Sequence, residues 1–273
     1  MRRNLEFLVL AVATLVAFVA VQSTSARAED AGALPAVGGT NGKLSVEGGV
    51  YDDDGAFLAL GTVSIPAGYA WGLQFDGAAG TIDGEEIIGG GFHAFTRDPD
   101  SHLIGLYASH HQWNDFQISR IAAESELYWN ELTFRALLGY EHIRFPARIS
   151  TMVLTDREDG HVFGKADLVW YPFEDLEIFA GFHYESEEPL GAIGLEYLMT
   201  SADTSHPIAF FAMGHFGDDD YLRATAGLRI YFGDGGRSLK RIRRELDPPN
   251  HTPVSPHFTE MVFVRRNNLP EPE

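Results

Sequence analysis

The feature that most constrains this chain is a strict alternation of apolar with polar or small side chains along unusually long stretches. In residues 221–232 every even position, from Leu222 to Phe232, is apolar, while the odd positions include Arg223 and Arg229. Since successive side chains of a β-strand point to opposite faces, this pattern predicts a strand with one apolar and one polar face. Twelve residues is about twice the usual strand length in soluble proteins, which favours a strand that crosses a membrane.

The same alternation recurs between turn signals through most of the chain. A membrane-crossing β-strand needs about 9–11 residues at a tilt of ~45°, and most of the runs reach that length. A closed cylinder leaves no unpaired backbone edge in lipid. We therefore predict an all-β fold, an antiparallel transmembrane β-barrel of about 12 strands, at 44–51, 56–65, 68–76, 86–96, 102–111, 115–129, 131–144, 161–171, 174–184, 189–199, 206–216 and 221–232.

Two of these predicted strands carry an ambiguous pattern. In the fifth, apolar side chains occupy both odd and even positions between residues 102 and 107. In the sixth, the apolar positions change phase between Ile118 and Ile121. We expect a β-bulge in the sixth strand, because one extra residue would restore its register.

The amino terminus has the pattern of an export signal. Two arginines precede an apolar run at 7–21, and Ala26-Arg27-Ala28 fits the small-x-small cleavage rule, which predicts a signal peptide at 1–28 and an N-terminal linker at 29–43. A retained anchor helix is the alternative, but 15 residues at 1.5 Å each are short for ~30 Å of hydrocarbon. No later segment has 18 consecutive apolar residues, which excludes a helical membrane protein.

The chain is strongly acidic, with a formal net charge of −19 over 273 residues. Without residues 1–28 the charge becomes −21, and residues 29–232 alone carry −22. This balance argues against nucleic acid as a partner, because a phosphate backbone needs clustered Lys and Arg. The absence of cysteine excludes disulfide stabilisation.

The connections between the predicted strands differ in length in a regular way. If the first strand runs outward, short turns fall on the periplasmic side and the longer loops 76–85, 144–160 and 185–189 fall outside, as bacterial barrels require. Trp71, Trp129 and Trp170 then lie at the inner ends of their strands. An aromatic belt is expected at that level of the membrane.

Together, the alternation, the loop rhythm, the signal peptide and the closing strand 222–232 with its terminal Phe232 resemble the Gram-negative outer-membrane β-barrels, which are porin-like in a loose sense. The resemblance covers residues 44–232 and identifies no subfamily. It implies a location in the bacterial outer membrane, with outer-membrane lipid and lipopolysaccharide as neighbours. The chain departs from the usual pattern in that 41 residues follow the closing phenylalanine.

The strand phases also predict which charged side chains face the lumen. Nine acids and four cations fall on the polar face: Glu47, Asp76, Glu124, Glu126, Glu141, Asp167, Glu177, Glu185 and Glu196 with Arg135, Lys165, Arg223 and Arg229. A carboxylate-rich lumen attracts cations, which predicts a narrow, cation-favouring passive channel. Alternatively the charges pair across strands and fill a sealed barrel that serves as a structural surface protein, since twelve strands lie between filled and open barrels.

Two aspartate triplets fall in the first and last predicted outer loops, at Asp52, Asp53 and Asp54 and at Asp218, Asp219 and Asp220. Closure of the barrel would place these loops side by side. Oxygen-only ligands suit Ca²⁺ or Mg²⁺, so we expect a divalent ion there as a hypothesis. Solvated acidic loop tips are the alternative.

Catalysis has weaker support in the sequence. Some outer-membrane barrels are lipid-modifying enzymes, and the candidates here are Ser109, His110, His111 and Asp115. Adjacent strand residues face opposite sides, so Ser109 and His110 cannot pair without a bend. Two histidines without a third ligand are also weak support for a metal centre. We therefore predict that the protein is not an enzyme.

Residues 233–273 form a basic extension after the closing strand. A glycine-rich start, the basic run 237–244 and Pro248-Pro249 predict a periplasmic segment with about one helical turn. It could dock on the acidic inner mouth of the barrel, on the cell wall or on a periplasmic partner, or be disordered. A soluble periplasmic all-β binding module is the alternative reading of the whole chain.

Overall fold

The computed structural model describes residues 34–51, 54–82, 84–113, 116–145, 157–199, 206–218, 221–233 and 235–251. The predicted signal peptide, 1–28, lies outside these residues. The elements are β1 (Asn41–Tyr51), β2 (Asp54–Pro66), β3 (Trp71–Ile82), β4 (Glu85–Asp98), β5 (His102–Trp113), β6 (Phe116–Trp129), β7 (Leu132–Phe145), β8 (Arg157–Phe173), β9 (Leu176–Glu185), β10 (Glu188–Met199), β11 (Ile208–Phe216), β12 (Leu222–Phe232) and α1 (Leu239–Glu245).

The twelve strands form one closed antiparallel barrel in which each strand pairs with its neighbours in the chain. The barrel closes through β1 and β12, whose pairing runs from Gly42 opposite Phe232 to Tyr51 opposite Arg223. Closure leaves no free strand edge. The prediction of an all-β barrel of about 12 strands is confirmed.

Over most of the described wall, apolar side chains point outward and charged side chains point inward. In β12, Leu222 and Leu228 are exposed, whereas Arg223 and Thr225 are buried. The three predicted belt tryptophans lie on the outer surface near the end of the barrel that carries the 67–70, 99–101, 130–131 and 174–175 turns, which we call the turn end. A surface of this kind matches hydrocarbon rather than water.

Several details differ from the sequence-based expectation. The predicted loop at 76–85 is mostly strand, because β3 continues to Ile82 and β4 begins at Glu85. The predicted bulge in β6 is wrong, since its register with β5 and β7 is continuous. Among the strand pairs of the described residues, the one register shift lies in the pairing of β8 with β9, between Trp170 and Phe173.

The phase change in β6 has a packing cause. Ile118 faces inward because the lumen is apolar at the end opposite the turns, which we call the loop end. There it belongs to a buried cluster, the inner apolar layer, formed by Tyr51, Leu58, Ile82, Ile87, Trp113, Ile118 and Ile143. The polar-inside rule therefore fails at this level of the barrel, and a bulge is not needed.

The described segments before β1 and after β12 both pack against the turn end. Val37, in the segment before β1, packs on Phe95, Leu103 and Tyr128. After β12, Gly233, Gly235 and Gly236 adopt positive φ angles, which glycine tolerates without strain, and turn the chain inward. No helix in the described ranges is long and apolar enough to cross a membrane.

The helix α1 packs against the inner wall through one apolar face. Leu239, Ile242 and Leu246 of this segment are buried against Leu198, Ala209 and Tyr231. These wall residues come from β10, β11 and β12. Residues 235–251, which we call the C-terminal segment, thus occupy the mouth of the barrel.

Candidate functional site

The predicted lumen residues all lie on the inner face of the barrel. Their side chains are at least four-fifths buried, and the strand that carries each one sets its direction by alternation. The set comprises Glu47, Asp76, Glu124, Glu126, Glu141, Asp167, Glu177, Glu185 and Glu196 with Arg135, Lys165, Arg223 and Arg229. Their predicted role in ion selectivity stays a prediction.

One group of these charges lies toward the loop end and is paired within the wall. Arg120 contacts Glu141 and places its Nη2 atom 2.8 Å from Glu185. Lys165 Nζ lies 2.7 Å from the other oxygen of Glu185. Sequence reasoning missed Arg120, because the assumed bulge between Ile118 and Ile121 left its direction undecided.

A second group lies toward the turn end and includes the C-terminal segment. Arg243 of α1 is buried, and its guanidinium reaches Glu177 at 3.3 Å and Glu196 at 2.6 Å. Arg135 also donates to Glu177, at 2.7 Å, and Arg229 contacts Glu196. Two wall carboxylates are therefore shared between wall arginines and the segment.

Lys43 joins the same group from β1. Its ammonium contacts Asp247 of the C-terminal segment and donates to the carbonyl of Pro248 at 3.2 Å. The sequence analysis assigned Lys43 to the linker, but β1 begins at Asn41 and turns this side chain inward. Buried Arg97 and Lys43, like Arg120, are cations that the sequence prediction omitted.

Outside the lumen the helix is held by the turn between β8 and β9. Ser238 Oγ donates to Glu174 at 2.8 Å, and Lys240 Nζ lies 3.1 Å from the same carboxylate. These contacts hold the pKa of Glu174 below its ordinary value, the hydroxyl contributing most. Asp175 accepts a hydrogen bond from the backbone of Leu239 at 3.2 Å, which satisfies one free amide of the first helical turn.

The added cations change the electrostatics of the lumen. The acids are matched by more positive charge than the nine-to-four ratio of the sequence suggested, and much of it is in direct ion pairs. A cavity of about 150 Å³ remains beside the C-terminal segment, bordered by Glu47, His215 and Arg243 among others. The C-terminal segment and these ion-paired side chains therefore occupy part of the lumen.

The aspartate triplets are only partly described. Asp54 begins β2 and Asp218 is exposed after β11, while Asp52, Asp53, Asp219 and Asp220 lie outside the described residues. The pairing of Tyr51 with Arg223 places the loop ends of β1 and β12 side by side. The Ca²⁺ or Mg²⁺ site stays a prediction.

The wall separates His110 from Ser109 and His111, two of the other residues considered for catalysis. Ser109 and His111 are buried on the inner face of β5, and His110 between them is exposed on the outer face. His110 pairs with Ser119 at 2.9 Å, not with Ser109. Asp115 lies outside the described residues.

No protein-family model and no curated sequence matches this chain. A chain solved under the description "Unveiling the Mechanism Behind the in-meso Crystallization of Membrane Proteins" is 11% identical, with 77% of this chain and 96% of that one aligned and a TM-score of 0.50. The fold is that of an outer-membrane β-barrel. The KdgM porin in complex with disordered oligogalacturonate follows at 10% identity, covering 68% of this chain and 97% of its own, with a TM-score of 0.48.

A third likeness extends over more of this barrel. The translocator domain of autotransporter NalP from Neisseria meningitidis is 10% identical, covers 84% of this chain and 95% of its own length, and has a TM-score of 0.49. At such low identities the likeness concerns the fold alone. The subfamily of this outer-membrane-type barrel is unresolved.

Proposed function

We propose that this protein is a passive channel of the bacterial outer membrane that is held closed by its own C-terminal segment. The observation that carries the proposal is the buried guanidinium of Arg243, which the segment inserts between Glu177 and Glu196 of the wall. Because charged groups are well solvated once exposed, water and dissolved ions can replace the ion pairs that hold the segment in the lumen.

The preference of the open channel follows from the same contacts. Withdrawal of the segment removes Arg243 from the lumen and leaves the carboxylates of Glu177 and Glu196 with one wall arginine each, Arg135 and Arg229. Over the whole described wall, the nine predicted acids then face seven cations, the four predicted ones together with Lys43, Arg97 and Arg120, which leaves a small excess of negative charge. We expect the open state to favour cations, because a carboxylate-rich, low-dielectric wall attracts them.

A second candidate function is supported by the inner apolar layer. Its residues are at most 6% exposed, and they span seven consecutive strands at the loop end. If this layer stays closed after withdrawal, the protein is a sealed barrel that acts as a structural surface protein. The two functions differ in what happens when the C-terminal segment is removed.

Planar-bilayer recordings separate them. The full chain and a variant lacking residues 235–273 are compared, with heat-modifiable migration in detergent gels showing that both barrels fold. We expect little conductance from the full chain and a cation-selective conductance from the shortened one. No conductance from a folded, shortened barrel would contradict the channel and favour the sealed scaffold.

A further inference from the structure

Three potential metal ligands meet inside the lumen, and they come from separate parts of the chain. His93 belongs to β4, Glu124 to β6 and His251 to the C-terminal segment. One ligand atom from each residue lies within 4.8 Å of the others. Two of the three side chains are buried in the wall, and the third is brought to them by the docked segment.

The orientation of His93 suits a metal ligand. Its Nδ1 atom lies 2.8 Å from Glu124 Oε2, on the side of the cluster, and its Nε2 atom lies 2.9 Å from Asp76 Oδ2. Asp76 is itself held by Thr62 at 2.8 Å and by Gln74 at 3.1 Å. A carboxylate that accepts from the far nitrogen of a histidine is the usual outer support of a metal-bound imidazole.

The third ligand is fixed through its backbone as well as its ring. The hydroxyl of buried Tyr107 donates to the carbonyl of His251 at 2.9 Å. The His251 ring packs 5.6 Å from the ring of His93, and its Nε2 atom is 3.7 Å from Glu124 Oε2. The imidazole therefore reaches the same carboxylate oxygen as His93.

Glu124 gives a second, independent observation that favours a bound cation. Its Oε1 atom is buried without a hydrogen-bond partner, although the residue is only 4% exposed. Leaving a carboxylate oxygen unpaired in the interior is costly. A cavity of about 10 Å³ borders both Glu124 and His251, which is close to the smallest space that holds one water.

We propose that His93 Nδ1, the carboxylate of Glu124 and His251 Nε2 bind a borderline divalent metal ion such as Zn²⁺ within the lumen. Two imidazoles with one carboxylate suit Zn²⁺ and its neighbours, whereas Ca²⁺ and Mg²⁺ prefer oxygen ligands alone. Asp76 positions His93 and does not bind the ion. The small cavity provides for a water as fourth ligand.

The bound ion joins the C-terminal segment to the barrel wall. Since His251 lies on the segment and His93 and Glu124 on the wall, the metal adds to the Arg243 and Lys43 ion pairs that hold the segment in place. The site itself does not depend on whether the barrel conducts, so its test is independent of the channel.

The experiment titrates Zn²⁺ into the folded, chelator-treated full chain in detergent by calorimetry, with Co²⁺ as a second probe through its visible absorption. We expect one tight site that His251→Ala and Glu124→Gln each weaken at least tenfold. Asp76→Asn is expected to weaken it 10-fold to 100-fold, in the range of lost outer-shell support.

His215→Ala is the matched control, because His215 is a buried lumen histidine that lies beside His183 instead. This variant should bind Zn²⁺ like the parent chain. His251→Ala changes the segment and not the wall, and heat-modifiable migration verifies that its barrel is intact. Absence of a Zn²⁺ site in the parent chain, or a site that His251→Ala leaves unchanged, would overturn the proposal and leave the cluster as an ion-paired histidine.

Discussion

At the scale of single residues, Arg243 has the most direct influence on where the C-terminal segment lies. Arg243 is only 7% exposed, and its guanidinium contacts two wall carboxylates. Removing one member of a buried ion pair leaves its partner uncompensated, which costs about 3–5 kcal/mol. The docking of the segment should therefore be far more sensitive to this arginine than to its exposed neighbours.

Arg243→Met tests this sensitivity. We expect the substitution to weaken docking by roughly 3 kcal/mol and to make the segment an early target of limited proteolysis while the barrel stays intact. Arg241→Ala is the control, because Arg241 is 57% exposed in its pair with Glu245 and such pairs are worth about 0.5 kcal/mol. Equal cleavage rates in the two variants would show that the Arg243 contacts do not hold the segment.

A glycine beside Glu124 gives a prediction about close packing. A Cβ atom on Gly105 would stand 2.7 Å from Glu124 Oε1 and 2.7 Å from Phe95 Cβ, closer than such atoms approach. We expect Gly105→Ala to destabilise the barrel by about 1–3 kcal/mol through overpacking. Gly77→Ala should be nearly neutral, since no atom lies within 4 Å of its added Cβ. Unfolding in urea, followed by gel migration, compares the two.

The directions of the lumen side chains could be predicted from the sequence, but their partners could not. Alternation alone sets whether Glu177 or Glu196 faces inward. Their pairing with Arg243 depends on the stagger of strands and on a segment far along the chain, separated from Glu177 by 66 residues. Local periodicity contains no information about such contacts.

At the scale of elements, α1 is a short helix that is stabilised by its surroundings. Seven residues are too few for a stable helix in water, so packing of Leu239 and Ile242 on the wall must supply the stability. The sequence indicated a basic helical turn near this position. The sequence left the barrel mouth as one of several alternative places for this turn. The size of the mouth follows from the number and tilt of the strands, which the segment's own sequence does not specify.

Glu245, at the end of α1, predicts how low pH affects the docking of the C-terminal segment. Burial opposes ionisation of Glu245, but hydrogen bonds from Arg241 and Arg237 outweigh it and hold the pKa of Glu245 below its ordinary value. Its contribution to docking is therefore present above the unfolded-state pKa of about 4.5 and is lost as the pH falls through the lower, folded-state value. We expect proteolysis of the segment to increase below about pH 4.5, and less steeply in Glu245→Gln. An identical acid response in both proteins would rule out this residue as a source.

The strand β6 shows where a rule based on pattern fails. Ile118 lies on the same inner face as Arg120, Ala122 and Glu124, without any bulge. The apparent phase change arises because the lumen itself changes from charged to apolar toward the loop end. A sequence window of one strand cannot reveal what the opposite strands place at the same height.

At the scale of the whole molecule, the outer surface is a continuous apolar band. Leu138 in mid-β7 is 64% exposed, and Phe173 at the turn end of β8 is 70% exposed. Closure and number of strands were predictable, because twelve alternating runs leave few other ways to cover every strand edge. The filling of the lumen was not, since it depends on the terminal segments.

A charge placed on this band tests whether it faces hydrocarbon. Leu138→Arg should reduce the free energy of folding into vesicles by about 2–4 kcal/mol, the cost of arginine at the bilayer midplane. Phe173→Arg should cost only about 0–1 kcal/mol, because Phe173 lies at the end of its strand, near the interface. Folding yields in lipid vesicles against urea measure the difference. Similar effects at both depths would argue that the band does not span a bilayer.

The position of the C-terminal segment after the last strand also bears on assembly and release. The segment is joined to the wall covalently only through the glycine-rich turn that follows Phe232, and it takes no part in the β-ladder. The proposed withdrawal of the segment would therefore separate no pair of strands. The contacts that dock the segment are thus separate from the hydrogen bonds that join the strands. Substitutions can therefore change how firmly the segment docks without destabilising the barrel.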